Sequence, residues 1–154
     1  MTDRDTTLAA MAEAKETLDE RLSKIDDAHG EWEGAIGEWS VAQLLQHLHG
    51  WLTEMTAGVE RMNAGQRPTP EGVDYSDPDD WNPGFVAERG DQSYEEARAA
   101  FDSAHEEFAA AVGEVDSARF GEGKTINRMV DGVVLEHYPE HAEDIDRFFE
   151  PANH

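Results

Sequence analysis

Residues 39–51 read Trp-Ser-Val-Ala-Gln-Leu-Leu-Gln-His-Leu-His-Gly-Trp, and this stretch holds both the start of a helix and part of its apolar face. Ser40 and Gln43 have the spacing of a capping box, in which two side chains satisfy backbone amides of the first turn. Trp39 stands at the position of a hydrophobic staple. Apolar residues then repeat at alternating steps of three and four. The pattern predicts an amphipathic helix that starts at Ser40 and ends near Gly65.

Three further segments show the same helical periodicity. The first covers about residues 7–27, and the third opens at a second capping box, Ser93 with Glu96, and stops near Gly113. The last has Thr125 as its cap. Four amphipathic helices of about 20 residues bury their apolar faces most economically against one another. The sequence therefore predicts an all-α fold, a four-helix bundle.

A long connection, residues 66–92, joins the second and third predicted helices and holds four of the six prolines. It shows no sustained period, and Trp81 and Phe85 indicate that it is pinned to the bundle. Long crossovers occur among helix bundles, and long loops are often functional. A chain of 154 residues has the size of one domain, so we expect residues 1–154 to form a single bundle domain.

The composition is strongly acidic, because 35 acidic residues against 12 basic ones give a net charge of −23. Such a surface repels phosphate backbones and anionic lipids, so we expect no nucleic-acid and no membrane partner. No segment resembles a signal peptide or approaches the ~18 apolar residues of a membrane span, which favours a cytoplasmic protein. Few of the basic residues are lysine, and an acidic, lysine-poor surface indicates a halophilic source or, alternatively, an ordinary acidic protein.

Histidines are the strongest candidate metal ligands, because the chain has 0 cysteines. His137 and His141 fall on the apolar arc of the last helix at positions i and i+4, a spacing that lets two imidazoles reach one ion. Two interpretations stay open. The pair binds a metal, or it consists of core histidines whose ring nitrogens are satisfied by neighbouring carboxylates or carbonyls.

The second helix offers a further histidine on each flank of its apolar arc. His47 lies on one flank and His49 on the other, and periodicity cannot choose between them. His105 lies near the apolar edge of the third helix and is expected to touch the rim of the core. His29 and His154 are expected to be solvated.

Four other side chains are candidates for a pocket around the histidines. Asp144 shares the arc of the last two histidines and could accept a hydrogen bond from a ring, or pair with a nearby arginine instead. Tyr138 and Glu54 could act as general acid or base, with a packed aromatic ring and a solvated charge as the alternative interpretations. Trp51 lies beside His47 on the second helix.

Pro139 interrupts the last predicted helix between the two histidines. It removes an amide hydrogen bond to Leu135 and crowds that carbonyl. The helix is therefore expected either to kink there or to restart at Pro139, and the second outcome would alter the i, i+4 geometry.

Two motifs resemble those of the DinB-like superfamily. Residues 39–51 are similar to the family's second-helix signature, Trp-Ser followed by a Leu-x-His-Leu step and often Gly-Trp. Residues 137–145 are similar to its C-terminal His-x-x-x-His segment. Residues 81–82, Trp-Asn, resemble a dipeptide of the branch that includes the colibactin-resistance proteins. The resemblance covers nearly the whole chain in helix order and spacing.

The resemblance implies that the family's metal triad falls on His47, His137 and His141, whereas His49 matches no triad position. It implies a divalent ion, commonly nickel or zinc, with open positions for water or substrate. Three neutral imidazoles leave the ion its full charge, so a bound water or thiol loses its proton near neutral pH. Because imidazoles titrate near pH ~6.5, we expect metal binding to weaken below about pH 6.

The superfamily includes thiol-dependent transferases and isomerases, and its colibactin-resistance branch opens an electrophilic cyclopropane. The resemblance therefore implies a metal-dependent hydrolase or thiol S-transferase, which directs water or a low-molecular-weight thiol at a small electrophile in detoxification or stress protection. It also allows a homodimer. The alternatives are a non-catalytic bundle that binds or sequesters a small molecule in a histidine-lined pocket, and a purely structural bundle.

Overall fold

A computed structural model describes residues 3–32 and 39–148. Their helices are α1 (Arg4–Leu22), α2 (Asp27–Gly30), α3 (Val41–Asn63), α4 (Asn82–Arg89), α5 (Tyr94–Gly113), α6 (Thr125–Val130) and α7 (His137–Phe148). A π-helical turn, Asp131–Leu135, joins α6 to α7, and single 3-10 turns lie at Pro78–Asp80 and Ser117–Arg119. The described residues include no β-strand. The prediction of an all-α, four-helix bundle is confirmed.

The four long segments of the bundle are α1, α3, α5 and the combined α6–α7. Helix α3 packs along α5, and α1 packs along α7 and against α5. The core between them consists mainly of fully buried aliphatic and aromatic side chains, among them Leu18, Leu22, Leu44, Leu48, Leu52, Phe101, Phe108, Val112, Ile126, Val130 and Val134. Each such side chain stabilises the fold by about 1.5–3 kcal/mol relative to exposure. Among the residues described, no helix combines the length and apolar character that crossing a membrane requires.

The helix starts follow the capping residues of the sequence. Ser40 Oγ accepts from the Gln43 amide at 3.1 Å, and Gln43 Oε1 accepts from the Ser40 amide at 3.0 Å, as the capping box predicts. The second box forms the same pair of bonds at the start of α5. Helix α1 begins earlier than predicted because the Asp3 side chain caps it. Thr125 is the first residue of α6, with Lys124 at the capping position.

The last helical segment restarts two residues before its proline. The Glu136 amide donates to the Asp131 carbonyl at 2.8 Å, which closes the π-helical turn and ends the first part of the segment. Helix α7 then begins at His137, so Pro139 lies in its first turn, where amides have no partner within the helix. His137 and His141 consequently lie on one continuous helix and keep their i, i+4 relation.

The long connection before α5 is folded against α3. It contains α4, which the sequence did not predict, although a proline at the second position of that helix is a recognised start signal. Phe85 of α4 is buried against α3, at 5% exposure, as its predicted role in pinning the connection requires. A Cβ atom on Gly50 would lie 2.2 Å from Phe85 Cγ. Glycine at position 50 therefore permits the close approach of the two helices.

Candidate metal centre

Three histidine side chains converge between α3 and α7. One nitrogen of each of His47, His137 and His141 lies within 4.8 Å of those of the other two, the only such group of three His, Asp or Glu side chains in the described residues. The ring centroids of His47 lie 4.9 Å from His137 and 5.3 Å from His141, and those of His137 and His141 are 4.6 Å apart. Trp39 covers the outer side of His47, with ring centroids 5.1 Å apart.

His49 lies outside this cluster. Its Nδ1 accepts a hydrogen bond from Arg89 Nε at 2.9 Å, on the side of α3 that α4 covers. His29 is exposed and bonds to Asp26, and His154 lies outside the described residues. Of the two histidines that periodicity left open on α3, His47 is the one that faces α7.

Hydrogen bonds fix which ring nitrogen each of two histidines presents. His47 Nδ1 lies 3.2 Å from the Leu44 carbonyl, which can only accept, so Nδ1 carries the proton and Nε2 carries the free lone pair. His141 Nδ1 likewise faces Asp144 Oδ2 at 3.1 Å, while the other Asp144 oxygen accepts from Arg147. The remaining nitrogen, His141 Nε2, is buried and without a hydrogen-bond partner in the described structure.

This arrangement fits a bound metal ion. A buried nitrogen lone pair without a partner is costly, and an ion between the three rings would satisfy it. A ligating histidine normally donates its other N–H to a carbonyl or carboxylate, as His47 and His141 do. Imidazole donors suit zinc and nickel.

Burial keeps the three imidazoles neutral, which is the form that binds a metal. Burial lowers the pKa of His47 to about 3, and the repulsion that His137 and His141 would exert when protonated acts in the same direction. Burial and the neighbouring His141 lower the pKa of His137 to about 4. Burial also lowers the pKa of His141, and the Asp144 carboxylate opposes this shift. The expected weakening of metal binding below about pH 6 assumed unperturbed rings; in the folded protein, proton competition shifts to lower pH.

Tyr138 points into the core rather than toward the histidine cluster. Its side chain is fully buried, its ring packs against Phe101 with centroids 5.4 Å apart, and its hydroxyl lies 2.8 Å from His105 Nδ1. Burial raises the pKa of Tyr138 well above its usual value. His105 is only 8% exposed, which is deeper than the core rim where it was expected. Tyr138 therefore occupies the place of a packed aromatic residue.

A pocket of about 540 Å³ opens beside the histidines, a size typical of small-molecule sites. Its lining combines two of the histidines with residues of α3, of the long connection and of the last helical segment: His47, His137, Trp51, Met55, Tyr75, Pro78, Asn82, Arg128, Met129, Gly132, Val133 and Glu140. The contributions of Tyr75 and Arg128 could not be predicted from the sequence, because the pocket forms only when distant segments pack together.

Trp51 is the centre of the aromatic side of the pocket. Its ring contacts Tyr75, Trp81 and Phe85, with centroids 5.8, 6.1 and 5.1 Å away. Its indole Nε1 donates to Asn82 Oδ1 at 2.7 Å. Glu54, which does not line the pocket, accepts from the Tyr75 hydroxyl at 3.3 Å. Glu54 therefore positions an aromatic side chain of the pocket.

Solved structures share this fold at low sequence identity. The colibactin self-resistance protein ClbS, crystallised in complex with double-stranded DNA, superposes with a TM-score of 0.84 and 15% identity over 98% of both chains. An uncharacterised protein of Escherichia coli UTI89 superposes with a TM-score of 0.83 and 17% identity, over 99% of this chain and 96% of that protein. The sibling lethal factor precursor DfsB superposes with a TM-score of 0.78 and 15% identity, over 96% of this chain and 95% of that protein.

The expectation that excluded nucleic acids as partners is wrong. It rested on the net charge of −23, yet a protein of the same fold is crystallised with double-stranded DNA. Net charge sums the whole surface, whereas DNA contacts depend on the few cations and donors at one local face. The overall charge of an acidic bundle therefore does not decide this question.

Sequence comparison identifies the family. No curated protein matches the chain. The family model described as the DinB superfamily matches residues 10–144, a range that contains His47, His137 and His141 and the long connection between α3 and α5. The motifs in residues 39–51 and 137–145 indicate the same family. The chain belongs to the DinB superfamily.

Proposed function

We propose that the protein is a divalent-metal-dependent enzyme, a hydrolase or thiol S-transferase that acts on a small electrophile in detoxification or stress protection. His47, His137 and His141 would hold one nickel or zinc ion. The observation that carries this proposal is the convergence of three neutral imidazoles, one of which has a buried nitrogen, His141 Nε2, without a partner in the described structure.

When bound, the ion would supply Lewis acidity. This would lower the pKa of a water or low-molecular-weight thiol bound to it, so that the water or thiol loses its proton near neutral pH. The chain's own residues orient and enclose this site. The Leu44 carbonyl and the Asp144 carboxylate hold two of the rings in position. The apolar and aromatic side chains around Trp51 would give the electrophile an apolar wall to lie against.

Metal titration of protein purified without an affinity tag tests the proposal. Isothermal titration with nickel and zinc should give about one site per chain, and His47→Ala, His137→Ala and His141→Ala should each weaken binding at least about tenfold. His49→Ala is the matched control, since this residue lies on the same helix and bonds to Arg89. Circular dichroism would verify that each variant keeps its helices. Equal affinities for wild type and His47→Ala would remove His47 from the site.

The pocket of about 540 Å³ also favours a second function, non-catalytic binding or sequestration of a small molecule. The same titration separates the two. A protein that binds no nickel or zinc after supplementation, yet binds small molecules in this pocket, would be a sequestering bundle and not the enzyme proposed here.

DNA binding is a further candidate, favoured by the complex that ClbS forms with double-stranded DNA. Fluorescence anisotropy with a labelled duplex tests it directly. Specific contacts to phosphates would give binding that weakens steeply as salt rises. An anisotropy that stays flat at low salt and micromolar protein would exclude this candidate.

A further inference from the structure

The polar groups that face the pocket are arranged for an acceptor or an anion. Asn82 is the first of them. An indole nitrogen can only donate, so the Asn82 oxygen must face Trp51. The Asn82 NH₂ group is therefore the side of the amide that does not bond to Trp51. Within the described structure this NH₂ group has no hydrogen-bond partner. Because Asn82 lines the pocket, it offers two N–H donors to a ligand.

Arg128 adds a positive charge to the same pocket. It is exposed, lines the pocket, and forms no ion pair and no side-chain hydrogen bond with any described residue. Glu140, which is also exposed, is the one acidic residue of the lining, and the two charges are not paired. An unpaired arginine is notable where 35 acidic residues compete for 12 basic ones. Guanidinium groups suit carboxylate and phosphate ligands.

Flat side chains form the apolar part of the pocket. Trp51 and Tyr75 meet edge to face with their centroids 5.8 Å apart, and Pro78 and Met55 extend this surface. Aromatic rings favour planar partners, which they contact by offset stacking or edge-to-face packing. A planar conjugated ligand would therefore fit this wall better than a branched aliphatic one.

We propose that the pocket binds a planar conjugated small molecule that carries an anionic group. Its ring lies against Trp51 and Tyr75, and its anion accepts hydrogen bonds from the Asn82 amide and from Arg128. That this ligand is the substrate rests on the proposed metal function. The binding preference itself rests only on the pocket residues and holds for the metal-free protein.

Calorimetric titration of the metal-free full chain at neutral pH tests this preference with two matched probes, 2-naphthoate and 2-naphthylmethylammonium. The rings are the same and only the charge differs. Naphthoate should bind at least about tenfold more tightly, as expected for charge-assisted hydrogen bonds. The overall net charge of −23 would by itself favour the ammonium probe. A preference for naphthoate would therefore have to come from the pocket residues.

Substitutions then separate the pocket groups from the overall charge. Asn82→Asp keeps an acceptor for the Trp51 indole but replaces the donors with a carboxylate, so it should weaken naphthoate and strengthen the ammonium probe, each about tenfold. Arg128→Gln should remove most of the preference for naphthoate. Lys24→Gln, which removes one positive charge just beyond α1, should leave the preference unchanged.

A deoxynucleoside monophosphate offers the same chemistry, so deoxyadenosine monophosphate serves as a third probe. Tighter binding of either anion than of the ammonium probe supports the proposal and indicates whether a carboxylate or a nucleotide is preferred. The proposal is overturned if the ammonium probe binds as tightly as both anions, or if no probe binds saturably. Metal affinity is measured separately, so a failure here leaves the proposed metal site standing, and the reverse also holds.

Discussion

The orientation of a single imidazole ring depends on the partner of its second nitrogen. Asp144 illustrates this, because its two oxygens contact His141 and Arg147 from one turn of α7. The carboxylate keeps the proton of His141 on Nδ1 and directs Nε2 away from itself. The sequence left open whether Asp144 contacts an imidazole or an arginine, and Asp144 makes both contacts.

Removal of the Asp144 carboxylate should weaken metal binding without unfolding the protein. Loss of a carboxylate that orients a ligating imidazole typically costs 10–100-fold in affinity, so we expect Asp144→Ala to lower zinc affinity about tenfold. Glu143→Ala, the neighbouring exposed position, is the control for the lost negative charge and should change affinity little. If the two variants bind zinc equally, His141 does not depend on Asp144 for its orientation.

The buried histidines should also make the stability of the metal-free protein depend on pH. His47 and His137 have folded-state pKa values of about 3 and about 4, below the unfolded value of ~6.5. As pH falls below ~6.5 the unfolded chain takes up protons that the folded chain does not, so stability is present above this pH and is lost as the pH falls toward 4. Urea unfolding at pH 7, 6 and 5, in 1 M salt with a chelator, measures the effect. His47→Ala should flatten the dependence; an unchanged slope would contradict the assignment.

Between elements, the packing of α4 on α3 builds the pocket. Gly50 admits the Phe85 ring, and this contact places α4 so that Asn82 reaches the Trp51 indole. The adjacent Gly-Trp pair of the second-helix motif thus has a physical basis, since one residue admits the connection and the next supplies the pocket wall.

A methyl group at position 50 should disturb this packing. The added Cβ of Gly50→Ala would clash with Phe85, so α4 must shift, and overpacking of this kind typically costs about 1–3 kcal/mol of unfolding free energy. Gly84→Ala is the control within α4 itself, because a Cβ there meets nothing within 4 Å. Urea denaturation measures both variants. Equal stability of Gly50→Ala and wild type would mean that the connection adapts freely to α3.

Periodicity predicted the long helices because each buries one face, and the capping boxes at Ser40 and Ser93 fixed two of their starts. Helix α4 escaped prediction because eight residues hold too few turns for a period to show. The choice between His47 and His49 depends on how α3 is rotated between α7 and α4, a tertiary property that lies outside the helix's own pattern. The family resemblance favoured His47, and the same tertiary packing created the pocket.

On the scale of the whole molecule, charge and fold act separately. The bundle could be predicted despite the acidic surface, since its core depends on apolar helix faces. The exclusion of nucleic acids failed because net charge averages over distinct local faces of the surface. That residues 1–154 form a single domain stays a prediction. Halophilic adaptation also stays a prediction, and it has a direct consequence for stability.

High salt should stabilise this protein. The net charge is −23, and the acidic side chains repel one another most strongly in the compact folded state. Salt shortens the screening length from ~30 Å at 0.01 M to ~3 Å at 1 M. The melting temperature should therefore rise by several degrees over this range, as about 1 kcal/mol corresponds to about 2–4 °C in a domain of this size.

A less acidic variant separates screening from other effects of salt. Glutamine at four exposed positions would remove four of the 23 net negative charges and leave 19, so the melting temperature at low salt should rise and its dependence on salt should decrease; the positions are Glu13, Glu16, Glu106 and Glu107. These side chains lie on the outer faces of α1 and α5, away from the residues that line the pocket, so metal affinity should stay the same. Differential scanning calorimetry in sodium chloride measures both proteins. A melting temperature of the wild type that is flat or falls between 0.01 and 1 M, the range over which the screening length shrinks about tenfold, would refute the halophile hypothesis, because self-repulsion is then not what limits the stability of the fold.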